Sequence, residues 1–110
     1  MADLAPFIEI NRQFDKGTLM NKGSLEFAVS AAEGSKNWQE QLALIVRAIV
    51  NDHVFADGNK RTAAAFIMSV FESRKLAYDS YKVDRAVVSI ARRRIANTYI
   101  IRRMMQNAIR

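Results

Sequence analysis

The sequence contains no cysteine, a single proline, four glycines and one histidine. Without cysteine the protein forms neither disulfides nor thiolate metal sites, which fits a cytoplasmic location. So few prolines and glycines disfavour a turn-rich β fold and favour helices. No apolar run reaches the roughly 18 residues of a membrane span, and the N-terminus lacks the pattern of a secretory signal.

Positive charge is concentrated at the end of the chain. Residues 1–80 hold nine Lys/Arg and ten Asp/Glu, whereas residues 81–110 hold eight Lys/Arg and one acid, Asp84. A basic terminal third is a candidate surface for nucleic acid, an acidic protein or an acidic antitoxin, and a solvated helix face is the simplest alternative. We do not expect aromatic side chains to interleave with these arginines as base-stacking platforms, which argues against nucleic acid as the main partner.

Hydrophobic periodicity predicts an all-α fold of about five or six helices in a single domain, residues 1–110. Ser24 is the expected cap of the second helix, and Asn97 or Thr98 that of the last. The alternation of Leu25, Phe27 and Val29 is also compatible with a strand, although we favour the helix. The predicted helices are 3–14, 24–32, 38–53, 59–75, 83–95 and a last one from about 97, and the final two could form one long helix.

The helix from Trp38 to His53 has the strongest amphipathic pattern. Its apolar residues recur at steps of three and four and define one buried face. His53 ends this apolar stripe. We therefore expect its ring at the edge of the core rather than in open solvent.

The stretch from His53 to Thr62 reads H-V-F-A-D-G-N-K-R-T and lies between two predicted helices. A turn at Asp57-Gly58 followed by a helix presents unpaired backbone N–H groups that attract an anion. Gly58 lacks the Cβ that would keep a phosphate away. Lys60 and Arg61 add positive charge to the first turn, where a bound anion would offset their repulsion from the helix dipole.

Two further groups in this stretch suit phosphoryl chemistry. His53 can accept a proton near neutral pH, and Asp57 is a hard oxygen ligand for Mg²⁺. Each feature alone has an ordinary explanation: a structural histidine, a common turn, a solvated Lys60-Arg61 pair. Their conjunction predicts a site that transfers part of a nucleotide to a hydroxyl group.

The same ten residues resemble the signature of the Fic/Doc family. The Fic branch has H-x-F-x-[D/E]-G-N-G-R-x-x-R, and the Doc (death on curing) toxins have H-x-F-x-[D/N]-[A/G]-N-K-R-T, which this sequence follows throughout. The resemblance extends in layout from about Gly23 to the C-terminus. The first 20 residues add little to it.

This resemblance implies a role for each matching position. His53 would be the base that activates the target hydroxyl, with Lys60 and Arg61 as further catalytic residues that neutralise developing charge. Asp57 would bind Mg²⁺ together with the phosphates of ATP, and Phe55 would anchor the loop in the core. The phosphate cradle would consist of Gly58, Asn59, Lys60 and Arg61.

Two departures from the Fic pattern bear on the reaction. Lys60 replaces a glycine, and Ala64 replaces a second arginine that would hold a leaving diphosphate. The Doc form implies a protein kinase toxin that transfers the γ-phosphate of ATP, with a threonine of elongation factor Tu as its target and translation as the process that it inhibits. A Fic-like adenylyltransferase and a non-catalytic binding module on the same fold are the alternatives.

Family members also carry a flap that aligns the target segment by backbone pairing. The loop from Glu33 to Asn37 is our preferred flap, and the segment from Gly17 to Gly23 is the second choice. The inhibitory Fic segment [S/T]-x-x-x-E-[G/N] has no true match, because Ser30-Ala31-Ala32-Glu33-Gly34 is one residue short. The resemblance therefore implies inhibition in trans by an antitoxin.

Overall fold

A computed structural model describes residues 2–110. Its regular secondary structure consists of six α-helices, which confirms the predicted all-α fold. The helices are α1 (Ala5–Arg12), α2 (Lys22–Glu33), α3 (Trp38–Asn51), α4 (Asn59–Ser73), α5 (Ser80–Arg93) and α6 (Thr98–Gln106). Within this part of the chain, β pairing is limited to two isolated bridges, Leu19 with Phe55 and Tyr78 with Ile109.

The apolar stripes of the helices meet in one hydrophobic core, with α3 at its centre. The five apolar side chains on the predicted face of α3 are buried, namely Leu42, Ile45, Val46, Ile49 and Val50. Burial of this stripe is what holds so short a helix in place. The largest apolar side chains that are fully buried are Phe55, Phe71, Leu25, Ile49, Ile67, Ile90 and Ile101.

Asparagine and aspartate side chains begin most of the helices. Asn37, Asp79 and Asn97 each accept hydrogen bonds from two backbone N–H groups of the following helix, as N-cap residues do. The prediction of Ser24 as a cap was wrong. Asn21 caps α2 instead, and its side chain accepts the bond from the Ser24 N–H.

Several boundaries differ from the predicted ones. α3 ends at Asn51 rather than at His53, because His53 takes a left-handed conformation with φ 48°. Arg94 does the same with φ 49° and separates α5 from α6, so one long helix is excluded. The strand alternative around Phe27 was wrong, because that residue lies on the exposed side of α2.

The connections place three helix ends side by side. α2 and α3 run antiparallel, so the start of α2 lies beside the end of α3, where Asn21 donates to the Asp52 carbonyl. α4 and α5 form a second antiparallel pair joined by a short connection. The end of α3, the start of α4 and the end of α5 therefore meet at one end of the molecule.

Two tyrosines in the basic terminal third pair with arginines four residues later, contrary to our expectation. Arg85 donates to the Tyr81 hydroxyl at 3.2 Å, and Arg103 donates to the Tyr99 hydroxyl at the same distance. Tyr78, which precedes this third of the chain, donates a hydrogen bond to the Glu72 carboxylate. That hydrogen bond, then desolvation and the Glu72 charge raise the pKa of Tyr78. No helix within residues 2–110 is long and apolar enough to cross a membrane.

Candidate functional site

A cleft of about 890 Å³ opens where the three helix ends meet. This volume lies in the range of small-molecule sites, roughly 300–1,000 Å³. All six residues predicted for the site line it: His53, Asp57, Gly58, Asn59, Lys60 and Arg61. The remaining lining residues are Phe14, Val50, Asn51, Ala56, Val88, Ala91, Arg92 and Arg94.

His53 stands on the cleft wall rather than at the edge of the core. Its left-handed backbone turns the chain out of α3, and the residue is exposed. The predicted position at the edge of the core was wrong because the apolar stripe stops at Val50, one turn earlier. An exposed imidazole beside a cleft is accessible to a substrate hydroxyl, as a general base must be.

Gly58 occupies a position that requires glycine, but for another reason than the one expected. Its φ is +75°, which L side chains rarely adopt. A Cβ on Gly58 would lie 3.3 Å from Asn11 Nδ2 and 3.5 Å from Phe14 Cβ. The missing side chain therefore allows close packing against the end of α1, whereas the backbone of Gly58 borders the cleft.

The start of α4 offers backbone donors to the cleft. Gly58 is its N-cap, and the Gly58 N–H bonds to Asp57 Oδ1 at 2.8 Å. The N–H groups of Asn59, Lys60 and Arg61 have no acceptor in the described part of the chain. These free donors and the positive end of the helix dipole are suited to binding an anion.

The side chain of Asn59 holds the loop rather than the anion. Its Oδ1 accepts from the Phe55 N–H, and its Nδ2 donates to the Phe55 carbonyl, both at 2.9 Å. Phe55 itself is only 1 % exposed, so its predicted role as an anchor is confirmed. The paired amide and the buried ring together fix the loop between His53 and α4.

Asn11 of α1 is a fully buried polar residue that the sequence reading missed. Its Nδ2 donates to the Asp57 carbonyl at 2.9 Å and to Thr62 Oγ1 at 3.0 Å, and its Oδ1 accepts from the Gly17 N–H at 2.8 Å. Thr62 is also fully buried. One side chain thus ties the metal-ligand candidate Asp57 to the first turn of α4.

Residues 18–24 brace the same loop from the other side. The Val54 carbonyl accepts from the Met20 and Asn21 N–H groups at 2.8 and 3.1 Å, and the Ala56 N–H donates to the Thr18 carbonyl at 2.9 Å. Ser24 donates to the Asp52 carboxylate. Asn11 and residues 18–24, hereafter the bracing residues, therefore fix the backbone on both sides of His53.

These contacts favour our second choice of flap, the segment from Gly17 to Gly23, over our first choice, the loop from Glu33 to Asn37. The segment from Gly17 to Gly23 lies against the motif, with Leu19 paired to Phe55. The loop from Glu33 to Asn37 joins α2 to the start of α3, and the 14 residues of α3 span about 21 Å to the motif. The near-match to the inhibitory segment ends at that distant loop, so Glu33 does not reach the cleft.

α5 supplies a second wall of the cleft that the motif does not contain. This α5 wall consists of Val88, Ala91, Arg92 and Arg94. The chain after it is fastened to α3, because Asn51 Nδ2 donates to the Ile95 carbonyl at 2.9 Å and Arg47 donates to the Ala96 carbonyl at 3.1 Å. The basic C-terminal third thus brings two arginines to the predicted site.

The cleft is strongly positive. Lys60, Arg61, Arg92 and Arg94 face a single lining carboxylate, Asp57, and none of the four cations forms an ion pair within residues 2–110. Such unpaired cations in one cleft favour a ligand with several negative charges.

A metal ion at this cleft would need oxygen ligands from its substrate. The described residues contain no group of three or more His, Asp or Glu side chains placed to hold a metal. Asp57 is the one carboxylate on the cleft. A single carboxylate beside an anion site suits Mg²⁺, which binds through one or two carboxylates, phosphate oxygens and water.

Comparison with known proteins gives a family but no individual relative. No curated protein and no solved structure gives a significant match to the chain. The model of the Fic/DOC family matches residues 7–71, more than half of the chain. The match begins within α1 and so includes most of the first 20 residues, which we had expected to add little. It ends at Phe71 rather than at the C-terminus. The chain therefore belongs to the Fic/DOC family, many of whose members are transferases that act on hydroxyl groups.

Proposed function

We propose that this protein is a Doc-like kinase that transfers the γ-phosphate of ATP to a hydroxyl of a target protein. The observation that carries the proposal is the position of Lys60 on the cleft beside His53, at the place where Fic enzymes have glycine. The position of the second Fic arginine supports it. Ala64 is 5 % exposed and belongs to the core, so no cation of α4 is available there to hold a leaving diphosphate.

Each residue of the motif has a defined task in this transfer. His53 accepts the proton of the target hydroxyl while the hydroxyl oxygen forms a bond to the γ-phosphorus of ATP. The bond from that phosphorus to the oxygen shared with the β-phosphate breaks, and ADP leaves with the electron pair. Lys60, Arg61 and the free N–H groups of α4 stabilise the charge that develops on the phosphate oxygens.

Asp57 is the residue that would hold Mg²⁺. A bound Mg²⁺ would neutralise part of the charge on the phosphates. The hydrogen bond from the Gly58 N–H to Asp57 Oδ1 orients the carboxylate, and Asn11 fixes the carbonyl of the same residue. Both contacts position Asp57 before any ligand binds.

The target segment would pair with the backbone at Leu19. The flanking residues Thr18 and Met20 use their backbone groups to pair with the motif. The N–H and carbonyl of Leu19 have no backbone partner among residues 2–110, as in the outward-facing residue of a strand edge. An extended peptide could add to this edge and bring its hydroxyl to His53.

By the same family resemblance, we propose a threonine of elongation factor Tu as the acceptor and translation as the inhibited process. The protein would then act as the toxin of a toxin–antitoxin pair. The segment around Glu33 contributes no residue to the cleft, and Glu33 lies too far away to inhibit in cis. An antitoxin acting in trans would therefore provide the control.

The test is an incubation of the protein with elongation factor Tu, Mg²⁺ and ATP labelled at either the γ or the α position. We expect label on the factor only from γ-labelled ATP, with His53→Ala as the inactive control. Label from α-labelled ATP would overturn the kinase proposal in favour of AMP transfer. Transfer of γ label to another protein of a cell extract, but not to elongation factor Tu, would keep the kinase and reject the target.

A further inference from the structure

The second wall of the cleft carries two arginines that lie outside the family motif. Arg92 is in the last turn of α5, and Arg94 is its C-cap. α4 and α5 are antiparallel, so the end of α5 returns to the start of α4 and sets both arginines beside the anion site.

The helix dipole explains some positive charge at this end of α5, but not its position on the cleft. Arg92 and Arg93 both lie in the last turn of α5, where cations are favourable. Arg92 lines the cleft and Arg93 does not. Comparing Arg92 with Arg93 therefore separates the effect of the helix dipole from the effect of the cleft. Both arginines lie at the end of the same helix, and only Arg92 borders the cleft.

The backbone of Arg94 provides an independent indication. Residues 2–110 include three non-glycine residues with positive φ: His53, Lys75 and Arg94. Two of them, His53 and Arg94, line this cleft. A left-handed helix end usually carries glycine or asparagine, and strained residues of other types concentrate at functional sites.

The anchoring of the chain after α5 makes the position of Arg94 definite. Ile95 is held on both sides, because its N–H donates to the Ile90 carbonyl at 3.1 Å and its own carbonyl accepts from Asn51 Nδ2. Asn51 also lines the cleft. Arg94 is thus fixed at its backbone while its exposed side chain stays free of carboxylate partners within the described chain.

We propose that Arg92 and Arg94 bind the polyphosphate of the nucleotide from the α5 wall and act together with Lys60 and Arg61. The inference rests on the proposed function for the identity of the ligand. The part of the inference that does not depend on the nucleotide is that the cleft contains a second anion site. Two guanidinium groups suit this task because each offers a planar set of donors to phosphate oxygens.

The test uses three variants that remove charge but keep a long side chain. These are Arg92→Gln, Arg94→Gln and the matched control Arg93→Gln. All three residues are exposed, so we expect the variants to keep the fold. Circular dichroism would check this. Isothermal titration calorimetry would measure the Kd of ATP and of inorganic tripolyphosphate for the wild type, for these three single variants and for the double variant Arg92→Gln/Arg94→Gln.

We expect the double variant to raise the Kd of both ligands about tenfold or more, because each lost charged hydrogen bond to phosphate has an effect of this order. Arg93→Gln should change Kd by less than about twofold, as expected for a distant screened charge. An equal effect of Arg93→Gln would show a general charge effect and overturn the proposal. A loss for ATP without a loss for tripolyphosphate would place the arginines on the nucleoside and also overturn it.

The same titrations separate this inference from the proposed function. Tripolyphosphate binding that depends on Arg92 and Arg94, without any ATP binding, would keep the second anion site and reject the kinase. ATP binding that is insensitive to both arginines would keep the kinase and reject the site. A wild-type protein that binds neither ligand would overturn both.

Discussion

The motif loop and the end of α5 border the same cleft, but they are held in different ways. From Asp52 to Asp57, the loop is fixed by hydrogen bonds to Asn11, to residues 18–24 and to Asn59. Arg92 and Arg94 instead stand on a helix end, exposed and without carboxylate partners in the described chain. The backbone that carries His53 and Asp57 is thus fixed on both sides, whereas the exposed side chains of Arg92 and Arg94 can adjust to a ligand.

This difference agrees with the demands of the two tasks. A base and a metal ligand must lie within a fraction of an ångström of the reacting atoms, so preorganisation of their backbone contributes directly to rate. A phosphate chain presents many oxygens, and long arginine side chains can bind it from several positions. We expect substitutions to affect stability mainly on the motif side and affinity mainly on the α5 side.

The largest expected effect comes from His53→Ala. Removal of a general base lowers the transfer rate by about 10²–10⁴-fold, while the exposed side chain contributes little to stability. Lys75→Ala is the matched control, because Lys75 is also exposed with a positive φ but lies at the far end of α4. The rate of γ-phosphate transfer decides the outcome, and equal rates for both variants would contradict the role of His53.

The next largest effect is expected for Asn11→Ala. This change leaves the Asp57 carbonyl, Thr62 Oγ1 and the Gly17 N–H without their partner. The loss of buried hydrogen bonds should lower the free energy of unfolding by about 2–4 kcal/mol, as measured by urea denaturation. Gln13→Ala, an exposed change just after α1, should be nearly neutral. A similarly small effect of Asn11→Ala would show that the bracing residues do not fix the loop.

The smallest of the three expected effects is on the free energy of unfolding, and it should have opposite signs for two glycine substitutions. Gly58→Ala places a side chain at φ +75° beside Asn11 and should destabilise the protein by about 1–2 kcal/mol. Gly23→Ala lies in α2 with no atom within 4 Å of the new Cβ, and it should stabilise the protein by about 0.5–1 kcal/mol. Opposite signs in urea unfolding would confirm that Gly58 serves the backbone, and equal signs would refute it.

Much of the fold was predictable from local sequence patterns. Apolar residues at steps of three and four located the helices, because burial of one face is what stabilises them. The cap at Asn97 was predicted, but that of α2 was not. Ser24 and Asn21 are both good caps by type, and only the chain path beside Asp52 decides between them.

The site was predictable to the extent that it is continuous in sequence. The residues from His53 to Arg61 form one motif, and all of them except the buried Val54 and Phe55 line one cleft. Asn11 bonds to residues 46 and 51 positions away, and Arg94 lines the cleft together with motif residues more than 30 positions away. A single asparagine in a short helix or an arginine in a basic tail has no local pattern that distinguishes it from a solvated residue. Packing of α1 and α5 against α4 gives these residues their role.

The bonds from Asn11 to Asp57 and Thr62 span 46 and 51 residues of chain. Such distant contacts require the closure of a long loop, which costs conformational entropy. They therefore form late in folding. Although the motif is a short continuous peptide, its working geometry is a property of the finished tertiary structure. A growing chain therefore contains all the residues of the motif before the contacts that fix their geometry can form.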